Sequence, residues 1–372
     1  MNLFYRGLCV LFLTLAFNPS LFAQNDDYLN PKMTDDGIVV GNSRQHIDTL
    51  LIANLISEIE SGSYKNIHSV LVLKDNKLLV EKYFDGYDIN QLHQLRSISK
   101  CVTGLLLGIA IDKGYIKSVE EGIFNYLPNY QHLKNENNAK IKIHHLASMS
   151  TGLDWNETNI PYEDKNNDDN KMYNYGDWVE YTLKKEVVAT PGEVFNYSGG
   201  VSNILAAVVQ NAVGIPLELF AEQHLFNPLG IQNYNWKKNR TQTLVSADAG
   251  LSIRPRDMIK IGTMLLNKGE WGDKRILSEK WVKRLSSKQV NGGAMGPFLL
   301  SYGYMVLVVE KGPDFLPGLR GYAATGNGGQ IIWVLPEQNA VFVFTGGNYN
   351  SELSQTQPIE IAIKYLFPAV KD

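Results

Sequence analysis

The sequence predicts an α+β fold in which both chain ends build one antiparallel sheet, helices flank it, and a helical lobe is inserted between the two groups of strands. Three observations predict it. Apolar, β-branched runs occur near the start (67–73 and 78–84) and again near the end (302–309, 330–335 and 340–344). Residues of about 115–250 carry helix and loop patterns with weak strand signals. Strands and helices therefore do not alternate as a parallel sheet requires, and a sheet closed by the two ends is the economical solution. A site is expected where lobe meets sheet.

The chain has 372 residues, 44% hydrophobic and 20% charged, which suits a large globular core and excludes a mainly disordered chain. Its formal charge of −3 and its scattered lysines lack the basic stripe of a nucleic-acid binder, so no nucleic-acid partner is expected. Arg6, the apolar run 8–17, Pro19, Ser20 and Ala23 read as a signal peptide over residues 1–23, cleaved near Ala23-Gln24. The run is too short and too poorly flanked for a good membrane span, so the protein is expected to be exported, without stable membrane insertion after cleavage, the alternative being a retained N-terminal anchor. Cys9 leaves with that segment. Cys101 is then the only cysteine, which excludes an internal disulfide; it reads as a buried filler rather than a nucleophile.

Residues 24–45 are a polar leader, and 46–372 form the main domain. Ile47, Leu50, Leu51, Leu55, Ile56 and Ile59 recur at helical spacing, and a hairpin is expected around Lys74-Asp75-Asn76-Lys77. A helix starts at Ser97, runs to about Asp112 and stops at Gly114; its apolar residues surround the axis, so it should be buried on most sides. Residues 144–149 form a short helix. The stretch 156–175, with Asp164, Asp168 and Asp169, reads as a solvated surface loop, the alternative being the lining of a substrate mouth. A turn at Pro191-Gly192-Glu193, helices over 201–213, 255–266 and 279–285, and a final helix at about 358–366 complete the chain.

Ser97-x-x-Lys100 places a hydroxyl and an amine on one face of that central helix at its mouth. This is the spacing of a nucleophile beside its base. The helix N-terminus favours a developing oxyanion, and burial discourages protonation of the lysine. A Ser-x-x-Lys occurs about once by chance in a chain this long, so its context decides its meaning. His144 and His145 are adjacent and cannot face one ion, so no metal is expected, nor any cofactor. No Gly-x-Ser-x-Gly elbow and no phosphate loop occurs.

Further ordered segments supply that context. They are His145-Leu146-x-Ser148-x-Ser150-x-Gly152-Leu153; Pro191-Gly192-x-x-Phe195-x-Tyr197-Ser198; Ala249-Gly250-Leu251-Ser252 with Asp257; and Gly326-x-x-Gly329-Gln330 ahead of a strand and Pro336-Glu337. With Ser97-x-x-Lys100, they make the chain from about Ile47 onward resemble the serine β-lactamase and penicillin-binding superfamily. It looks most like the branch of esterases, class C β-lactamases and 6-aminohexanoate-dimer hydrolases. The resemblance implies a β-lactamase-like fold, a bacterial origin with a periplasmic or secreted place, and hydrolysis of a small ester, amide or peptide-like substrate through an acyl-enzyme. It makes Ser97 the nucleophile, Lys100, neutral when it acts, the acceptor of its proton, and Tyr197 the partner that shares the proton. Which of Lys100 and Tyr197 is the acylation base stays open. The backbone N–H groups of Ser97 and Asn327 would form the oxyanion hole.

Two departures from the family's pattern bear on the substrate pocket, whose candidate residues are Gly199, Ala324, Thr325 and Gly326. Gly199 stands where the family often has asparagine, so a side-chain hydrogen bond to the lysine or to a substrate amide is missing or supplied elsewhere. Ala324 stands where β-lactamases and D-alanyl-D-alanine peptidases place a lysine or histidine for a substrate carboxylate. That weighs against those two activities. Arg254 and Arg320 are possible substitutes, although surface arginines are the plainer reading. A reading of another class is a non-catalytic wall-binding or sensor module; the joint presence of Ser97, Lys100 and Tyr197 weighs against it.

Overall fold

A computed structural model describes residues 26–295, 298–312 and 319–370; the expected signal peptide and its cleavage point lie outside these. The hairpin forms as expected, from β1 (Ile67–Lys74) and β2 (Lys77–Tyr83). Six strands follow late in the chain: β3 (Val290–Met295), β4 (Phe298–Tyr302), β5 (Leu307–Lys311), β6 (Gly321–Gly326), β7 (Gln330–Leu335) and β8 (Ala340–Gly346). They join in one eight-stranded sheet of order β2-β1-β8-β7-β6-β5-β4-β3, antiparallel at every junction. The pairing of β1 with β8, Val70 opposite Phe344 and Val72 opposite Phe342, ties the two ends of the chain together.

The sheet is covered on both faces, which is why its strands read as continuous apolar runs rather than alternating ones. Along β8, Val341 and Val343 face one core and Phe342 and Phe344 the other. The second core is closed by α1 (Thr49–Glu60), capped by Asp48 through Leu50 N at 2.9 Å, and by the C-terminal helical segments Leu353–Ile361 and Ala362–Leu366. On the first face lie α2 (Ile98–Asp112), α3 (Gly199–Val213) and α4 (Pro255–Leu266). α2 is buried from Ile98 to Ala110, as its all-round apolar pattern requires. Its Gly108 is needed for close packing, because a Cβ there would lie 2.2 Å from the Trp281 indole.

The expected strand over 302–309 is not continuous. A turn closed by Gly303 N to Val306 O at 2.9 Å separates β4 from β5, and Tyr304, Met305 and Val306 are buried in that turn against α2. The expected surface loop over 156–175 is also corrected. Asp168–Tyr175 is a helix capped by Asn167, and Glu157, Asn167, Asp168 and Met172 are all buried. Trp155, Met172 and Trp178 form a small apolar cluster that pins it to the lobe. Among the described residues no single helix is long and apolar enough to cross a membrane.

Candidate active site

The backbone just before α2 is held in an uncommon form. Arg96 has φ +52°, a left-handed value that a non-glycine residue adopts at some strain. It is held there from both sides: Leu95 N donates to Leu251 O at 2.9 Å, and Ser99 Oγ donates to Arg96 O at 2.7 Å while accepting from Leu251 N at 3.1 Å. Ser97 then occupies the N-cap with helical φ −63° and ψ −10° and makes no capping hydrogen bond. A serine at this position ordinarily spends its hydroxyl on the helix. Here Lys100 Nζ donates to Ser97 Oγ at 3.1 Å and to Asp248 O at 2.8 Å. Lys100 is 2% exposed; its bond to Asp248 O is buried, and its bond to the half-buried Ser97 lies at the edge of the core.

Tyr197 reaches the pair from the lobe. Ser198 caps α3, its Oγ accepting from Val201 N at 3.1 Å, and so holds the residue before it at the helix mouth. The Tyr197 side chain lies against Lys100, whose Nζ is 4.8 Å from its ring centroid, and close enough to Ser97 and Lys100 to feel both. Burial raises its phenol pKa above the ordinary value, Lys100 acts to lower it, and Glu157 raises it further. The structure therefore brings Ser97, Lys100 and Tyr197 together, which the sequence pattern required but did not show.

Glu157 and Asp169, from the stretch expected to be a surface loop, and Asp248 complete the site. Glu157 Oε2 accepts from Gly199 N at 2.7 Å, at the first turn of α3 where a negative charge is favoured, and from Trp155 Nε1 at 2.8 Å; Tyr162 donates to Oε1 at 3.0 Å. Asp248 accepts from Tyr173 at 2.7 Å, Ser246 at 2.7 Å and Asn203 at 3.2 Å. Asp169 lies against Gly199: a Cβ built on that glycine would be 2.5 Å from Asp169 Oδ1. That oxygen is buried and has no hydrogen-bond partner.

These anions change the expected state of the lysine. Burial alone would lower its pKa, but Tyr197, Glu157, Asp248 and Asp169 outweigh it and hold Lys100 above the ordinary lysine value. The substrate-free form is thus the ammonium, where burial by itself would have favoured the free amine. Asp169 shifts the other way for a carboxyl: burial first, then Glu157 and Asp248, push it well above the usual range, against Lys100 and Arg96. Cys101, one residue from Lys100, is buried and its thiol is pushed up to about 12 by that burial.

The sheet supplies the other wall. Ala324, Thr325 and Gly326 end β6, and Gly326 presses on the residues before the serine, since a Cβ there would lie 2.3 Å from Leu95 O. Asn327 follows directly; its side chain is locked to Asn350 by bonds of 2.6 and 2.8 Å. Neither arginine considered as a substitute for a cation at 324 serves the site. Arg254 forks onto Asp257 at 2.8 and 2.9 Å, and Arg320 is exposed. Arg96 lies nearer, over the Tyr349 ring at 4.8 Å, with its Nε buried and unpartnered. His144 and His145 are committed to Tyr304 at 2.7 Å and to Lys142 N at 3.1 Å. No group of three metal-ligating side chains occurs among the described residues.

Sequence reading missed Glu157, Asp248 and the position of Asp169. The available signal was the interleaving of Trp155, Tyr162, Tyr173 and Tyr181 with acids, because a buried aromatic with a polar tip needs an acceptor.

An antiparallel sheet closed by both chain ends, with a serine and lysine at the mouth of a buried helix, defines the β-lactamase-like class of folds. The family profile described as Beta-lactamase matches residues 67–362, and the chain belongs to that family of serine hydrolases. It is 23% identical over 301 residues to 6-aminohexanoate-dimer hydrolase of Paenarthrobacter ureafaciens, covering 73% of this chain and 70% of that protein. It is 22% identical over 208 residues to Protein flp of Staphylococcus aureus (strain MW2), 54% of this chain but only 40% of that protein's length. Among solved structures, "EstCE1, a hydrolase with promiscuous acyltransferase activity" superposes with a TM-score of 0.68 at 17% identity, over 85% of this chain and 97% of that one.

Proposed function

We propose that the protein is an exported hydrolase that cleaves a small ester or amide through an acyl-enzyme on Ser97, in the manner of esterases and 6-aminohexanoate-dimer hydrolases. The observation that carries this reading is the 3.1 Å contact from Nζ of the buried Lys100 to Ser97 Oγ, with the Tyr197 ring 4.8 Å from the same nitrogen. Ser97 Oγ attacks the carbonyl carbon, and the oxyanion is held by the N–H groups of Ser97 and Asn327. The serine proton passes through the lysine–tyrosine pair to the leaving group, and water then reverses the path to release the acid. Because the resting lysine is an ammonium, it must hand on a proton before it can take one. The absence of a cation at Ala324 supports a substrate without a carboxylate at that place.

A fluorophosphonate probe tests the reading. The expected result is a single adduct on the peptide that contains Ser97, together with hydrolysis of p-nitrophenyl butyrate that Ser97→Ala abolishes. Folded protein that forms no Ser97 adduct and cleaves no ester overturns it.

A further inference from the structure

Acylation of Ser97, as in the acyl-enzyme reading above on which this inference rests, changes the hydrogen bonds of the buried Lys100 ammonium. An ammonium has three N–H donors. In the substrate-free protein two of them meet Ser97 Oγ at 3.1 Å and Asp248 O at 2.8 Å, and the Tyr197 ring lies 4.8 Å from the same nitrogen. Acylation forms the bond from Ser97 Oγ to the acyl carbon and breaks the bond to the leaving group, which departs with the serine proton. Oγ is then an ester oxygen and a poor acceptor. One lysine N–H loses its partner in a buried place, where an unsatisfied charged donor is strongly disfavoured.

Asp169 Oδ1 is the complementary defect. It is a buried acceptor with no partner, within electrostatic reach of Lys100, and it lies where a side chain on Gly199 would begin. The other two carboxylates of the site are not idle in this way: Glu157 Oε2 serves Gly199 and Trp155, Glu157 Oε1 serves Tyr162, and both Asp248 oxygens are engaged. We infer that Asp169 is the positioning residue for Lys100, supplying from the lobe the side-chain acceptor that Gly199 lacks and taking the N–H released when Ser97 is acylated. The charged and titratable groups that face it are Lys100, Arg96, Glu157 and Asp248, with Tyr162 and Tyr173 alongside. The glycine and the aspartate are then one device. A side chain at 199 and a carboxylate at 169 compete for the same volume, so the chain holds one of them.

Exchange of the two residues is the test. Asp169→Ala should lower kcat on p-nitrophenyl butyrate about tenfold or more with KM little changed, the effect of losing a hydrogen bond to a charged group. Asp169→Asn, which keeps an acceptor of the same shape, should recover most of that loss. Gly199→Asn alone should lower Tm through the clash with Asp169, whereas Gly199→Asn with Asp169→Ala should regain both Tm and kcat relative to its single variants. The inference is overturned if Asp169→Ala stays within about twofold of wild type, well under the effect of one such bond, or if the double variant is no better than the worse single one. Wild-type protein with no Ser97 adduct and no ester hydrolysis sinks the acyl-enzyme reading instead, and the Tm coupling still reports on the shared volume.

Discussion

Arg256 at the start of α4 and Lys100 at the start of α2 are both buried cations, and their surroundings differ. Arg256 is 1% exposed, and all five of its N–H donors are filled: Glu81 takes two, at 2.8 and 3.0 Å, Asp36 one at 3.0 Å, and Thr34 and the Lys32 carbonyl the rest. Its neighbours are similarly closed, with Asp257 held by Arg254 and by Lys260 at 3.1 Å, and Lys260 bonded to Gly230 O at 3.0 Å. Around Lys100 the anions outnumber the cation, one carboxylate oxygen has no partner, and one contact is to a serine that gives up no capping bond. Closed charge holds a fold together, and charge left open at a concave place is where chemistry occurs.

Single substitutions break the comparison on either side. Lys100→Ala should lower kcat/KM on p-nitrophenyl butyrate by about a thousandfold or more, the range of a lost general base, while leaving the thermal transition near that of wild type. A variant with wild-type turnover would remove Lys100 from the relay. Arg256→Ala should do the reverse. It leaves the buried Glu81 and the half-buried Asp36 without their cation and should destabilise the fold by about 3–5 kcal/mol in denaturant titration, with turnover per folded molecule retained. Loss of turnover without loss of stability would contradict the division.

Much of the sheet was legible because both of its faces are buried. β7 and β8 read as unbroken apolar runs, and the pairing of the two chain ends follows from where those runs lie. The same rule misled at 302–309, where Tyr304, Met305 and Val306 are apolar because a turn is pressed into α2, and Met305 sits at φ +61°. The nucleophile and its lysine were legible from spacing, since i and i+3 share a helix face. The carboxylates were not. Acids at 157, 168 and 169 look solvated in sequence because their partners, the tips of Trp155, Tyr162 and Tyr181 and the amide of Gly199, are brought to them only by the folded lobe.

The smallest expected effect is the most specific one. Glu157 is one of the anions that hold Lys100 above the ordinary lysine value, and it also accepts from Gly199 N. Glu157→Gln keeps an acceptor for Gly199 and Trp155 and offers its amide to Tyr162, but it removes the charge. With one anion fewer, the ammonium is less favoured, so the Lys100 pKa falls and the free amine appears at lower pH. The basic limb of kcat/KM, which in wild type should still be climbing in the alkaline range, should therefore move toward neutral pH in Glu157→Gln, with higher activity near pH 7. A limb that does not move, in a variant that stays folded, would show that the rate does not follow Lys100. A limb that moves to higher pH would contradict the role of Glu157 as an anion that holds protons in the site, since it raises both Lys100 and Tyr197.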